Sequence, residues 1–404
     1  MISTYVLKMR NILFSLPSAF WVLWSGTLIN RMGMLVLPFL SIYLASERHV
    51  IADYIGFITS LPGIGSILSS LLMSTLADHF ERKYLLGLIL FGSALLVLPM
   101  PFLTPLPLLA LLVLTWSTVS EMQRPLSQVL VIDIIPPAQR QQALSILRVA
   151  INTGMGISSA MGGLIAVVAF PLLFVVDAIT SIIFAALTLL HFPTIKSCPT
   201  KYPHLHLAHT SMLFQDRAFL LVGIAAFCAN LLYCQLYTIF AVYLIQIGGS
   251  ALLYGGFMAL NTILVVVAEF PLVTAVSHLR TNRTMAVGTL LYAIAVGLCA
   301  FIGSPIWLVL PVLAFTLGEM LYSSASSIVA ANLAPPEKRG AAVGLLWVAQ
   351  GVGLAVGPML AGVLLHISPM LCWWTLCIIG LVGSIFAWVT PDKIKASNLD
   401  SGTS

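Results

Sequence analysis

The chain has 404 residues, 60% of them hydrophobic and 8% charged, with a mean hydropathy of +1.05. Soluble globular domains carry about 25% charged residues, and 18 Lys and Arg with 13 Asp and Glu cannot cover a chain of this length. The composition excludes a cytosolic enzyme, a nucleic-acid binder and a disordered chain, and it defines an integral membrane protein.

Polar and Pro/Gly punctuation divides the chain into segments long enough to cross a bilayer, which takes about 20 residues. The first, 18–45, follows Lys8 and Arg10 and contains Arg31. It is too long for the core of a cleaved signal peptide and reads as a spanning helix. Spans two to six are expected at 52–77, 84–103, 107–134, 139–167 and 171–192. A polar linker at 193–216 follows, then spans at 217–247, 251–277, 284–303, 306–333, 338–366 and 369–390. Runs of this length are not barrel strands, so the expected fold class is an all-α integral membrane bundle of twelve transmembrane helices.

Basic residues set the orientation. With the N-terminus inside, the cytoplasmic segments hold Lys8, Arg10, Arg82, Lys83, Arg140, Lys196, Lys201, Arg217, Arg280, Arg283, Lys338, Arg339, Lys393 and Lys395, and the outer loops hold only Arg48. Fourteen against one places both termini in the cytoplasm and supports an even number of spans. The expected location is a bacterial cytoplasmic (inner) membrane.

Ionisable residues inside spans carry the functional signal. One at the bilayer centre costs about 2.5–3.5 kcal/mol on insertion scales, so it faces protein or water rather than lipid. In chain order, span one places Arg31 near its centre, with Thr27 and Asn30 on neighbouring turns. Span four has Glu121, Arg124 and Gln128 along one stripe, and span five has Ser145, Arg148 and Asn152. Asp177, near the start of span six, reads as a helix-start carboxylate. Span seven adds Asn230, Tyr233 and Tyr237, and span ten adds Thr316, Glu319 and Ser323. Glu269 of span eight reads equally as a loop-edge polar residue or a cavity group. The competing structural reading makes these groups buried ion pairs that only fix helix packing.

Cysteine and histidine add little. Cys228, Cys234, Cys299, Cys372 and Cys377 fall in apolar runs and Cys198 in a polar one, with no Cys-x-x-Cys pair. His204, His206 and His209 in the linker lack a carboxylate cluster or second cysteine, so a solvated linker is read there and no metal or cofactor is expected.

The two sides of the linker repeat each other. Asp133-Ile-Ile-Pro-Pro-Ala-Gln-Arg140 matches Asn332-Leu-Ala-Pro-Pro-Glu-Lys-Arg339 at a shift of 199, and Gly154 and Gly163 then meet Gly353 and Gly362. The first spans align at a shift of 200, Asn30 with Asn230 and Tyr43-Leu44 with Tyr243-Leu244. This predicts an N-terminal six-helix bundle at 1–192, the linker, and a C-terminal bundle at 217–404, with a substrate site between them at mid-membrane.

The loop after span two, Ser74-Thr75-Leu76-Ala77-Asp78-His79-Phe80-Glu81-Arg82-Lys83, resembles the Gly-x-Leu-Ala-Asp-Arg-x-Gly-Arg-Lys motif of the major facilitator superfamily. Asp78, Arg82 and Lys83 match, while Ser74 and Glu81 replace the two glycines. Span five, with Gly154, Gly162 and Gly163, resembles the Gly-x-x-x-Gly-Pro-x-x-Gly-Gly motif of the family's antiporters. Span eleven matches more closely through Gly353, Gly357, Pro358 and Gly362. Asn30-Arg31-x-Gly33, Pro38-Phe39 and Tyr43-Leu44 in span one, with Gly318-Glu319 in span ten, resemble bacterial drug/proton antiporters.

The resemblance, which spans residues 18–390, implies two pseudo-symmetric bundles around a central cavity lined by spans one, four, seven and ten. It implies a cytoplasmic latch of Asp78, Arg82 and Lys83, joined by Asp133 and Arg140. The polar residues inside spans give the expected proton-coupling and cavity set of Glu319, Arg31, Glu121, Arg124, Arg148, Asn152 and Asn230, in which the resemblance points to Glu319 as the coupling acid. Small residues repeating at four let helices approach closely, so Gly154, Gly162, Gly163, Gly353, Gly357, Pro358 and Gly362 read as a packing or bending seam.

The function expected is proton-coupled export of small amphiphilic molecules by alternating access. A nucleotide-binding Gly-x-x-x-x-Gly-Lys-Ser/Thr loop is lacking, so ATP is not the direct energy source. The rival is a carrier of an anionic metabolite, siderophore or lysolipid, for which the excess of arginine in the first six spans argues. An intramembrane enzyme is the remote alternative, since the spans hold no midplane histidine and no paired acids at ligand spacing. The partners expected are a small-molecule substrate, protons and the lipid bilayer, without nucleic acid, in a monomer.

Overall fold

The computed structural model describes residues 16–136, 139–193, 216–276, 278–334 and 339–391. Every element among them is helical, and twelve segments are long and apolar enough to cross a membrane. They are Ser18–Glu47, Ala52–Met73, Arg82–Phe102, Leu106–Ile134, Gln142–Val168, Pro171–His191, Arg217–Tyr237, Ala251–Glu269, Thr281–Cys299, Pro305–Leu333, Ala342–Ile367 and Pro369–Val389, numbered here as spans 1 to 12. The expected spans match these segments to within a few residues except at the ends of spans 7 and 8, expected at 247 and 277 and found at Tyr237 and Glu269. Their outward faces expose Leu88, Leu111, Val168, Leu190 and Val267, an apolar surface suited to lipid.

Span 1 is not one helix. It runs as Ser18–Gly33, breaks at Met34–Leu35 and resumes as Val36–Ile42. Pro38 explains the break: it lacks the N–H that would bond the carbonyl four residues back, which is that of Met34. The orphaned Met34 carbonyl accepts instead from the Ser158 hydroxyl of span 5 at 2.8 Å. Span 7 is interrupted at the matching place, where Arg217–Tyr233 passes through a 3-10 turn, Cys234–Tyr237, into Ile239–Gln246. Here Thr238 stands at the Pro38 position, and its own hydroxyl donates to the Cys234 carbonyl at 2.9 Å. Span 4 is also two helices, Leu106–Glu121 and Gln123–Ile134, because Pro125 cannot donate to Glu121.

Backbone proximity groups the chain into two compact units. The first comprises residues up to Val36, Leu68–Ser158 and Pro171–Tyr202. Its core joins Phe20 and Leu23 of span 1, Leu86 and Leu90 of span 3, Leu126 and Leu130 of span 4, Leu147 of span 5 and Phe184 of span 6. Burial of side chains this size contributes about 1.5–3 kcal/mol each by the area rule for transfer out of water. The second comprises Leu37–Ile67, Ser159–Phe170 and Pro203 onward. Spans 1, 2 and 5 thus pass from one unit to the other, the first of them at its break.

Within the second unit, two helix crossings are made backbone to backbone. A Cβ built on Gly163 of span 5 would lie 2.9 Å from the Cα of Gly255 in span 8. One built on Gly362 of span 11 would lie 2.8 Å from the Cα of Gly56 in span 2. Gly56 and Gly255, like Gly163 and Gly362, are 199 residues apart, so the two crossings are copies of one contact. Only glycine fits at either.

Candidate functional site

Glu319 lies in the span 10 helix, Val309–Leu333, and is partly buried. One side of it is held by span 8, where Asn261 donates from Nδ2 to Glu319 Oε2 at 2.9 Å and to Thr316 Oγ1 at 3.0 Å. Asn261 is only 5% exposed, so in an apolar helix its amide has no water to turn to. On span 7, Tyr233 stacks on Phe315, which precedes Glu319 by one turn of span 10. Among the described residues no basic side chain pairs with Glu319.

Aromatic rings surround this acid. Tyr233 stacks on Phe315 with centroids 5.9 Å apart and an angle of 27°, and Phe315 meets Tyr292 at 4.7 Å. Tyr237 lies 5.7 Å from Tyr233, and both Tyr237 and Tyr292 are within electrostatic reach of the carboxylate. A carboxylate among aromatic faces can bind a proton or a cation: the carboxylate supplies charge, and ring quadrupoles add about 0.5–2 kcal/mol for a cation. Asn261, Tyr292 and Phe315 were not identified from sequence. Asn261 carried a signal, a lone amide inside an apolar run, but nothing in the sequence said which span it would face.

Asn230 is placed elsewhere. It is buried, and its Nδ2 donates to the Ala226 carbonyl at 3.1 Å and to the Tyr322 hydroxyl at 3.0 Å. Gln350 of span 11 donates to the same hydroxyl at 3.0 Å, so Asn230 ties spans 7, 10 and 11 together. Its repeat counterpart Asn30 likewise joins span 1 to span 6, donating to Ser181 Oγ at 2.9 Å.

The first unit holds the arginines. Arg31 is 4% exposed; its Nη1 lies 2.9 Å from the Met34 sulfur, and its Nε has no hydrogen-bond partner. Glu121 and Arg124 form a loose pair at 3.6 Å across the break in span 4, with the Arg124 side chain 58% exposed. Arg148 and Asn152 are exposed on span 5, and the Ser145 side chain lies outside the described residues. Gly154 lies against span 1, where a Cβ would come 2.5 Å from that of Arg31; Gly353 repeats this against the Phe227 carbonyl of span 7, also at 2.5 Å. Gly357 faces Cys234 and Leu231 of span 7, Gly162 faces the Phe39 ring, and the Pro358 carbonyl faces Gly56.

Asp177 corrects a sequence reading. It stands inside the helix Pro171–His191 rather than at its start, and it is 3% exposed. Its Oδ2 is buried and has no hydrogen-bond partner.

Of the latch residues, Arg82 and Asp133 form an ion pair with the Arg82 side chain 4% exposed. Arg140 donates from Nε to the Ile135 carbonyl at 3.1 Å, and Lys83 lies over the Tyr84 ring. The Asp78 side chain lies outside the described residues, as does the linker with its histidines.

A chain whose described elements are all helical, with twelve apolar spans that carry a few polar and ionisable side chains, has the architecture of a membrane transporter. The model of the Major Facilitator Superfamily matches residues 23–283 and 264–403, and the chain belongs to that family. It is a secondary transporter of this type and not an enzyme. It is 24% identical over 351 residues to the MFS-type transporter YqjV of Bacillus subtilis (strain 168), covering 85% of each chain. It is 25% identical over 350 residues to the MFS-type transporter YdeE of Escherichia coli (strain K12), covering 82% of this chain and 85% of that one. Among solved structures, the nucleoside transporter NupG superposes with a TM-score of 0.77 at 15% identity, covering 93% of this chain and 98% of the other.

Proposed function

We propose that the protein exports small amphiphilic molecules in exchange for protons by alternating access, with Glu319 as the proton-binding group. The observation that carries this reading is the setting of Glu319: a carboxylate in mid-span, held by Asn261, without a pairing cation among the described residues and one helical turn from Phe315, on which Tyr233 and Tyr292 pack. Such a group can exchange a proton for an organic cation, because both satisfy the same charge. In this reading the linker joins two six-helix bundles, 1–192 and 217–404. The protein acts as a monomer in a bacterial inner membrane with both termini in the cytoplasm, as the distribution of basic residues supports.

The test is uphill uptake of a lipophilic cationic dye into inside-out proteoliposomes under an imposed proton gradient. Accumulation in the wild type and its loss in Glu319→Gln supports the reading. Uphill transport at the wild-type rate in that variant overturns it.

A second reading, transport of an anionic metabolite, siderophore or lysolipid, has its own observation. Arg124 and Arg148 are exposed on spans 4 and 5, and the buried Arg31 of span 1 has an unpartnered Nε. Binding of anionic rather than cationic probes in a thermal-shift screen favours this alternative, since a ligand stabilises the fold that binds it.

A further inference from the structure

Of the ion pairs among the described residues, one belongs neither to the arginines of spans 3 and 4 nor to the candidate site. Asp53, in the first turn of span 2, places Oδ1 3.3 Å from Nδ1 of His366, in the last turn of span 11. The two stand one helical turn beyond the Gly56–Gly362 crossing. Further along, Gly63 meets the Ala355 backbone and Gly351 meets the Ile67 side chain, so spans 2 and 11 run together and the pair closes the end of their seam. The Asp53 side chain is 35% exposed and that of His366 53%, so water reaches both. Asp53 Oδ1 is nevertheless buried and makes no hydrogen bond; the group placed opposite it is the imidazole. Each charge also stands where its helix favours it, an anion in a first turn and a cation in a last one. The repeat supplies a comparison. At the copied crossing of Gly163 and Gly255, the positions equivalent to His366 and Asp53 hold Val167 and Leu252. Apolar residues serve that contact, and the ionisable pair is an addition to one copy.

We infer that Asp53 and His366 form a pH-sensitive clasp between spans 2 and 11, fastened when His366 is protonated and released when it is neutral. Histidine is the side chain whose charge changes between about pH 5 and 8, so the clasp holds below that range and is lost as pH rises through it. With both termini in the cytoplasm, as proposed above, this end of the spans faces outside and the clasp responds to external pH. The inference rests on that orientation for the side it senses, not for the fastening. Span 11 packs on spans 7, 10 and 12. To this end they bring Tyr243, in the continuation of span 7, and Cys372 of span 12. Tyr243 donates to the Ile302 carbonyl at 2.8 Å and Cys372 to the Ala361 carbonyl at 3.4 Å. The turn before span 2 adds Glu47, Arg48 and His49, and Tyr54 follows Asp53. Arg48 donates to the Tyr43 hydroxyl at 3.2 Å. His49 is the second histidine of this end, and the test separates it from His366.

The test is the separation of spans 2 and 11 as a function of pH, in the full chain in lipid with the native cysteines replaced. It is read by spin-label distance measurement between Ile51→Cys and Met370→Cys, both exposed at this end. A Glu319→Gln background keeps that acid out of the pH response. The expected result is a ratio of short to long distances that falls about two- to fivefold as pH rises through the histidine range, the scale of an exposed ion pair. His366→Gln and Asp53→Asn should each be flat over that range. His366→Lys, which keeps the charge, should hold the spans together throughout it. An intact pair that does not respond overturns the inference. So does a response that survives in His366→Gln, which passes it to His49, or in Asp53→Asn. In vesicles with different pH on the two sides, a response to the side that holds residue 200 overturns the proposed orientation and leaves the clasp standing. Normal uphill transport by Glu319→Gln overturns the Glu319 assignment and likewise leaves the clasp standing.

Discussion

Asn261 and Glu319 meet at 2.9 Å across the interface of spans 8 and 10, the amide nitrogen donating to the carboxylate. The same nitrogen bonds Thr316 Oγ1 at 3.0 Å, so both of its hydrogens are committed to span 10. Glu319→Gln keeps the shape of the protonated acid and removes its titration. It should reduce uphill, gradient-driven transport at least tenfold while leaving downhill exchange or ligand binding in place, as counterflow and thermal-shift assays would show.

Asn261→Ala removes the donor but not the acid. Interhelical hydrogen bonds in membranes contribute about 0.6–1.7 kcal/mol, so the variant should fold with a modest loss of thermal stability. The informative outcome is a displaced pH profile of transport. A profile that does not move would make Asn261 a packing residue alone.

Arg82 and Asp133 form an ion pair at the ends of spans 3 and 4, with the arginine buried and the aspartate partly exposed. Removing either charge takes from the other a charged partner at a site little exposed to water. Arg82→Ala and Asp133→Asn should each destabilise the protein and lower turnover with substrate binding retained. The double variant should be no worse than either single one, and additive losses in a double-mutant cycle would show that the two do not act together.

The glycine crossings predict a size limit. A valine at Gly163 or Gly362 would drive side-chain atoms into backbone at 2.9 or 2.8 Å. Overpacking of this kind typically costs about 1–3 kcal/mol, and here it acts on the crossings of spans 5 with 8 and 2 with 11. Disulfide cross-linking between cysteines flanking either crossing should fall sharply in Gly163→Val or Gly362→Val. Unaltered cross-linking would mean that the helices separate there in the native cycle.

Topology offers a fifth check. Single cysteines at positions 200 and 398 should react with an impermeant reagent only from the cytoplasmic side, and one at 48 only from outside. Labelling of 48 and 200 from one side would end the twelve-span arrangement.

What could be read from sequence follows from the range of each signal. Span lengths are local, so hydropathy located all twelve. Glu319 stood out because it is the one ionisable group within span 10. Asp177 was misread because proximity to Pro171 resembles a helix start, whereas the helix has already begun at Pro171 and buries the side chain among its neighbours. The break in span 1 had its cause in plain view at Pro38, but only the structure shows that Ser158 compensates for it. Asn261 is the same case, since a single amide in an apolar run carries no information about its neighbour.

The interruptions of spans 1 and 7 fall at equivalent positions, but the carbonyls they free are relieved differently, by Ser158 from a neighbouring helix at Met34 and by Thr238 from the same helix at Cys234. The bend therefore does not depend on one particular donor: a hydroxyl from a neighbouring helix serves in one half and a hydroxyl of the same helix in the other, so span 1 loses its relief if span 5 moves away, whereas span 7 carries its own.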